Sequence, residues 1–331
     1  MNSFNWPVIG HQKIINYLQS VVERNSPNHA YLFYGPPGIG KNLVADLFVK
    51  SLFCASANAK PCGTCAHCRQ LAAGSHPDVI DLIRETDQKN INIERIREAR
   101  SQVQNYPFFN SYKVLFIREA DTLSLGASNA LLKILEEPRG QTIFVFIGEN
   151  LKFFPRTVLS RLQVIKFLPI NEEEIEKYLV AQKIDRPLAR ELAAASLGFP
   201  GRVWPFINHP KNFHEHTAQL SLLLQKAFSQ TNERFRLIEN LASQSNSEAA
   251  KKNSRDFLND LLFIVRDSLL VKSGLSAHIT FPGLESDLAF FARRHSAASL
   301  INILSEIRKT SHYLKQNVNP RLALENLILS F

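Results

Sequence analysis

Outside residues 54–68 the chain contains no cysteine, and methionine occurs only at position 1. A disulfide framework spread through the protein is therefore excluded. With only 13 Gly and 16 Pro in 331 residues and 45% hydrophobic residues, it is neither collagen-like nor low in complexity nor disordered. The longest unbroken aliphatic and aromatic runs, Leu261–Val265 and Ile143–Ile147, fall far short of the ~20 residues that a bilayer span requires, so no membrane association is expected. Met1–Gly10 offers no basic start, apolar stretch or small-residue cleavage site, and the expectation is a cytosolic protein. No single-sign charge block is present either. The net charge of +9 divides into +4 for residues 210–331 and +5 for the rest. Such a balance suits nucleic acid or an acidic partner, but with the excess spread out a solvated, mildly basic surface is the better account.

What the sequence does contain is enough apolar content and length for two or three domains. Short β-rich runs bounded by turn residues predict five strands: Tyr31–Tyr34, Val79–Ile83, Val114–Ile117, Ile143–Ile147 and Val164–Phe167. Four are nearly continuous apolar runs, the pattern of a parallel sheet covered on both faces. Helical periodicity at 43–53, 93–104 and 127–135 alternates with them, which predicts an α/β doubly wound first domain. After Pro169 the pattern turns helical. Asn171 caps a run of three glutamates, placed where a helix dipole favours acids. Phe257, Leu258, Leu261, Leu262, Val265 and Leu269 define one face of a later helix stopping at Ser273-Gly274, and Asn319-Pro320 opens a last one. Residues 242–253, rich in Ser, Asn and Lys, read as a loose surface connection.

Gly35-Pro36-Pro37-Gly38-Ile39-Gly40-Lys41 follows the first strand and opens a helix, the context of a phosphate-binding loop. Backbone amides of Gly35, Gly38 and Gly40 with the helix N-terminus can cradle phosphate oxygens, and Lys41 can reach the β and γ positions. Two parts needed for hydrolysis are missing. Asn42 replaces the hydroxyl that ligates Mg²⁺, and the third strand ends in Arg118-Glu119-Ala120-Asp121, with a cation where an aspartate should hold the metal. Nucleotide binding without turnover remains open.

Cys54, Cys62, Cys65 and Cys68 supply four thiolates that a short loop can wrap around a tetrahedral Zn²⁺. Four soft ligands close the shell, so the site is read as structural. A redox pair, free cysteines or an Fe–S cluster account less well for the clustering in a cytosolic chain. His67 lies inside the knot and is read as a bystander.

These motifs, in this order, resemble the clamp-loader branch of the AAA+ family. Further strings carry the resemblance: His76-Pro77-Asp78, Asn129-Ala130-Leu131-Leu132-Lys133, Leu135-Glu136-Glu137-Pro138, Ser160-Arg161 before the fifth strand, and Gly198-Phe199-Pro200-Gly201. They occupy the first two hundred residues; the remainder matches only in length and helical character. The resemblance implies an AAA+ P-loop α/β domain with a parallel five-stranded sheet over 1–168, carrying a zinc-binding insertion at 54–68. It further implies a small helical lid domain over 169–209 and an all-α C-terminal oligomerisation domain, or collar, over 210–331.

By the same resemblance, Asn42 and Arg118 place the chain with the family's non-hydrolysing subunits, and the intact motors gamma and tau, together with delta, are the implied partners in a five-membered ring. Through that ring it would meet a sliding clamp and primed DNA. Arg161 matches the arginine that enters a neighbour's ATP site, although Leu162 stands where the family has cysteine. Gly148-Glu149 replaces a polar sensor residue, and Arg202 lies one position beyond the usual lid arginine. An active gamma-like ATPase and a stand-alone zinc-containing nucleic-acid binder are the competing readings. Turnover by the purified chain, or its salt-sensitive DNA binding, would distinguish them.

Overall fold

A computed structural model describes residues 3–84, 88, 90–109, 111–136, 140–207, 209, 211–242, 248–316 and 318–329. The chain divides into two compact units, one of residues 1–175 with 198–201 and the other of 176–197 with 202–331.

The first unit is built on strands β1 (Ser3–Phe4), β2 (Ala30–Tyr34), β3 (Ala59–Lys60), β4 (Val79–Leu82), β5 (Lys113–Ile117), β6 (Thr142–Gly148) and β7 (Gln163–Lys166). Its helices are α1 (Gln12–Glu23), α2 (Lys41–Phe53), α3 (Ala66–Ala72), α4 (Ile93–Val103), α5 (Leu125–Glu136) and α6 (Arg156–Leu159). Five strands form one parallel sheet in the order β4-β5-β6-β2-β7. This is the AAA+-type α/β arrangement that the sequence resemblance implied, and all five expected strands are present.

Alternation along β2 explains its unbroken apolar sequence. Tyr31 and Phe33 face one layer with Leu18, Val44 and Phe48 from α1 and α2. Ala30 and Leu32 face the other, with Ile96, Leu131 and Leu135 from α4 and α5. Burial on both faces holds for β2, β5 and β6. At the sheet edges it does not: β4 exposes Asp81, and β7 buries only Ile165. The chain leaves β2 for β4 on one side of the sheet and leaves β6 for β7 on the other, so the P-loop after β2 and the ends of β5 and β6 lie together at the carboxyl edge, where such sheets bind ligands. A two-stranded parallel pairing of β1 with β3, which the sequence did not suggest, ties the N-terminus to the cysteine-bearing insertion.

The chain continues through helices α7 (Glu172–Ala181), α8 (Arg186–Ser196), α9 (Pro200–Ile207), α10 (Lys211–Ala227), α11 (Thr231–Ala242), α12 (Glu248–Lys272), α13 (Glu285–Arg294), α14 (Ala297–Lys315) and α15 (Pro320–Ile328). In the second unit α12 is the axis. Leu258, Leu261 and Val265 are buried on it, as are Leu300, Ile303 and Ile307 on α14 and Leu324 and Leu327 on α15. Asn319 caps α15 by accepting the Arg321 amide at 2.9 Å, and Asn171 likewise accepts the Glu173 amide at 3.1 Å. The expected loose connection at 242–253 is corrected in part. Helix α12 already begins at Glu248, because Ala249, Ala250 and two lysines favour helix and Ala250 is buried. Residues 243–247 lie outside the described residues. No helix is long and apolar enough to cross a membrane among the described residues.

Candidate functional site

Gly35, Gly38 and Gly40 all have positive φ, the backbone that lets the loop curl from β2 into α2. Lys41, the first residue of α2, is only 7% exposed, and its Nζ donates to the Pro36 carbonyl of the same loop at 3.2 Å. Burial lowers its pKa, opposed by the nearby charges of Glu149 and Asp121. Asn42 is exposed. Two further residues hold the loop. His11 places Nε2 3.0 Å from the Ile39 carbonyl, with its ring edge against Phe167, and the Gly201 amide donates to the Gly38 carbonyl at 2.8 Å. A Cβ at Gly201 would sit 2.7 Å from that carbonyl oxygen, so only glycine permits the approach.

At the end of β5 the side chains that should serve a metal are engaged elsewhere. Arg118 donates through Nη2 to Asp46 of α2 at 2.8 Å and through Nε to both carboxylate oxygens of Asp81 at 2.9 and 3.0 Å, above the Phe116 ring. Two carboxylates therefore compensate the cation that stands in place of an aspartate at the end of β5. Burial works against its charge, yet these partners hold its pKa above the ordinary guanidinium value. Burial also raises the pKa of Asp81, which Arg118 counteracts. Glu119, in the left-handed region at φ 51°, accepts from Arg84 Nε at 2.9 Å. Asp121 accepts the amides of Glu149 and Asn150, joining the ends of β5 and β6. Gly148 packs beneath it: an added Cβ would lie 3.0 Å from both Asp121 Oδ1 and the Phe154 ring, which explains why no larger sensor side chain stands there.

The four cysteine sulfurs lie within 4.8 Å of one another. A tetrahedral thiolate shell with Zn–S bonds of about 2.3 Å separates its sulfurs by about 3.8 Å, so the set fits such an ion after a small contraction. The surrounding backbone fits as well. Amides of Cys62, Cys65 and Cys68 donate to the sulfurs of Cys54, Cys62 and Cys65 at 3.3, 3.3 and 3.4 Å. Such donors favour thiolate. The Cys65 amide in particular, with Thr64, brings Cys62 down to about 6. At Cys65 burial works upward, but the Cys68 amide prevails and its pKa is lowered. Burial pushes Cys54 up and Cys68 up to about 12. A central cation would let all four ionise together. His67 is turned to other work: its Nδ1 lies 3.0 Å from His76 Nε2.

Arg161 follows α6 and is 25 residues from its ion-pair partner, Glu136 of α5, at 2.7 Å. Its Nη1 also donates to the Thr157 carbonyl at 2.7 Å and to Ser160 Oγ at 3.2 Å. Glu137 and Pro138, the end of the Leu-Glu-Glu-Pro string, lie outside the described residues. Arg202 belongs to the second unit, where its guanidinium lies 4.8 Å above the Phe263 ring.

Two models of one protein family match this chain. The model described as DNA polymerase III, delta subunit, matches residues 10–171, and its C-terminal counterpart matches residues 215–331. Over these two stretches the chain resembles DNA polymerase III delta subunits. Among relatives, the subunit delta' of Bacillus subtilis is 28% identical over 317 residues, 96% of this chain and 94% of that one. The subunit tau of the same organism is also 28% identical, over 96% of this chain but 59% of its own length. The delta' subunit of Pseudomonas aeruginosa is 37% identical over 52% of this chain and 53% of that one.

Several site residues carried no sequence signal of their own. Asp46 and Asp81 sit in helix and strand patterns and gain meaning only beside Arg118. His11, just ahead of α1, carried none either. The His76-Pro77-Asp78 string was legible as a motif, but its work was not. Asp78 is fully buried and accepts the amides of Phe108 and Phe109 at 2.7 and 3.1 Å. Its own amide donates to His76 Nδ1 at 3.2 Å, which puts the His76 proton on Nε2, facing His67. The string thus braces the cysteine knot against the loop before β5.

Proposed function

We propose that this chain is a delta-prime-type clamp-loader subunit of a DNA polymerase III holoenzyme, a scaffold that hydrolyses ATP negligibly and serves a neighbour's ATP site. The observation that carries this reading is the fate of the two strand-end residues. Arg118 is spent on Asp46 and Asp81, and Glu119 on Arg84, so neither is available to hold Mg²⁺ or to activate water. The P-loop retains its form, and Gly35, Gly38, Gly40, Lys41 and Asn42 would be the residues that meet a nucleotide. Phosphates there would have to draw Lys41 away from the Pro36 carbonyl.

In this reading, residues 1–168, 169–209 and 210–331 act as P-loop domain, lid and collar, and the collar joins gamma or tau and delta subunits in a five-membered ring. The assembly would place a sliding clamp on primed DNA. One Zn²⁺ held by Cys54, Cys62, Cys65 and Cys68 supplies a structural crosslink when bound. Arg161 acts in trans: a planar, permanently protonated donor suits the charge that spreads over phosphate oxygens during phosphoryl transfer.

The test is reconstitution with the motor and delta-type subunits of the same organism, sized by native mass spectrometry, with phosphate release measured for the chain alone and for the assembly. The expected result is one copy per assembly and background release alone. Robust Mg²⁺-dependent release by the isolated chain, abolished by Lys41→Ala, would overturn the reading in favour of a motor.

A further inference from the structure

Arg161 is engaged on three sides by its own unit. Nη1 is divided between the Thr157 carbonyl and Ser160 Oγ, and Nη2 is paired with Glu136. Ser160 Oγ itself donates to the Thr157 carbonyl at 3.0 Å, so the hydroxyl is oriented and offers its lone pairs to the guanidinium. These contacts fix both terminal nitrogens while engaging three of the five N–H donors a guanidinium carries. Two donors remain, the Nε–H and one hydrogen of Nη2, for an acceptor from outside.

Glu136 is an unusual residue for its place. It is the last residue of α5, where the negative end of the helix dipole disfavours a carboxylate. Its contact with Arg161 supplies the compensating cation. A long, two-thirds-buried arginine side chain with no such partners would sample several rotamers and lose that freedom on meeting a phosphate.

The geometry points to Glu136 and Ser160 as positioning residues for Arg161, holding its free donors toward the γ-phosphate of a nucleoside triphosphate bound by a neighbouring subunit. This rests on the in-trans reading of Arg161 given above. Glu136 does not touch the phosphate; its effect passes through the guanidinium, and Ser160 adds the second fixed point. The acceptor oxygen matters more than the charge, so glutamine should substitute for the glutamate and alanine should not.

The experiment measures kcat and KM for ATP in the DNA-stimulated assembly, with wild-type chain and with Arg161→Ala, Glu136→Ala, Glu136→Gln, Ser160→Ala and the Glu136→Ala/Arg161→Ala pair. Displacement of a catalytic group by about 1 Å costs on the order of 10² at one site, and the assembly's other sites dilute that, so Glu136→Ala should lower kcat about fivefold with KM unchanged. Glu136→Gln should recover to within about twofold of wild type, and Ser160→Ala should lose about twofold. The double variant should be no slower than Arg161→Ala alone, because both act through one group.

If Arg161→Ala lowers kcat while Glu136→Ala leaves it unchanged, the positioning role is overturned and the in-trans reading stands. A rise with Glu136→Ala would make the contact a restraint instead. A double variant slower than either single one would show that Glu136 acts by another route. Unchanged rates with Arg161→Ala itself would overturn the in-trans reading and this inference with it. Should Glu136→Ala fail to assemble, Glu136→Gln and Ser160→Ala decide: a fivefold loss with glutamine, or no loss with Ser160→Ala, overturns the proposal.

Discussion

Arg118 and Asp46 are bonded at 2.8 Å between the end of β5 and the helix that follows the P-loop. With Asp81 as a second acceptor, this ion triad ties the end of β5 to β4 and α2. Charge of the opposite sign has been brought to the arginine, so the three groups compensate one another. Undoing one member leaves the others uncompensated.

Arg118→Ala should therefore destabilise the first unit by about 1–2 kcal/mol, less than a fully buried pair would lose because the three side chains keep 26–37% of their exposure. Adding Asp46→Asn should recover part of the loss by removing one of the two facing carboxylates. Urea midpoints of the single and double variants measure both effects. An unchanged midpoint for Arg118→Ala would make the triad energetically idle.

Asn42→Thr restores a hydroxyl after the P-loop lysine, but phosphate release by the chain alone should stay at background. The hydroxyl supplies one metal ligand, while Arg118 and Glu119 remain paired with Asp46, Asp81 and Arg84. A coupled phosphate-release assay with saturating Mg·ATP checks this, and turnover in the threonine variant would show that the strand-end pairs yield to nucleotide.

Protein purified without added zinc should carry one Zn²⁺ per chain by elemental analysis. Cys68→Ser, which removes a buried sulfur, should abolish retention through dialysis and lower the melting temperature. Release of the ion by chelator should expose four titratable thiols. Acid should weaken binding, since protons compete for the same sulfurs, and the buried Cys68, pushed up to about 12, holds its proton most firmly. Metal content near zero with all four thiols reactive in the native protein would exclude the site.

The second unit should respond to pH through Asp260 of α12. Burial, aided by the charge of Asp256, raises its carboxyl to about 7, and His216 of α10 lies 3.7 Å away with its own pKa lowered by burial. A carboxyl with a raised folded-state pKa binds its proton more tightly in the folded chain. Its cost is absent below the unfolded value of about 4, grows as pH rises from there, and is complete above about 7. Asp260→Asn should thus stabilise the protein by about 1–3 kcal/mol at pH 8 and by little near pH 4.5. Denaturation curves of the two proteins across that range test the sign. A gain that grows toward acid pH would contradict it.

The sheet was legible in the sequence because parallel strands covered on both faces must be apolar at successive positions, and β2, β5 and β6 are. The P-loop was legible for a similar reason: a chain that curls around phosphate needs glycine at fixed intervals. The cysteine spacing is local too, since a loop of fifteen residues can close one tetrahedron. Each of these depends on neighbours a few residues apart, which a linear reading can see.

Long-range pairing was not legible. The partners of Arg118 stand 72 and 37 positions away, and a carboxylate on a helix or strand face announces nothing about what crosses it. Glu136 was one acid in a family string until folding set it 25 residues back against Arg161, and Asp260 was an ordinary charged position until packing withdrew water from it. The amino-acid order determined which groups this protein owns and the local backbone that presents them. Only the tertiary structure decided which charges meet and which are desolvated, because Coulomb attraction and burial act through space and carry no record of separation along the chain.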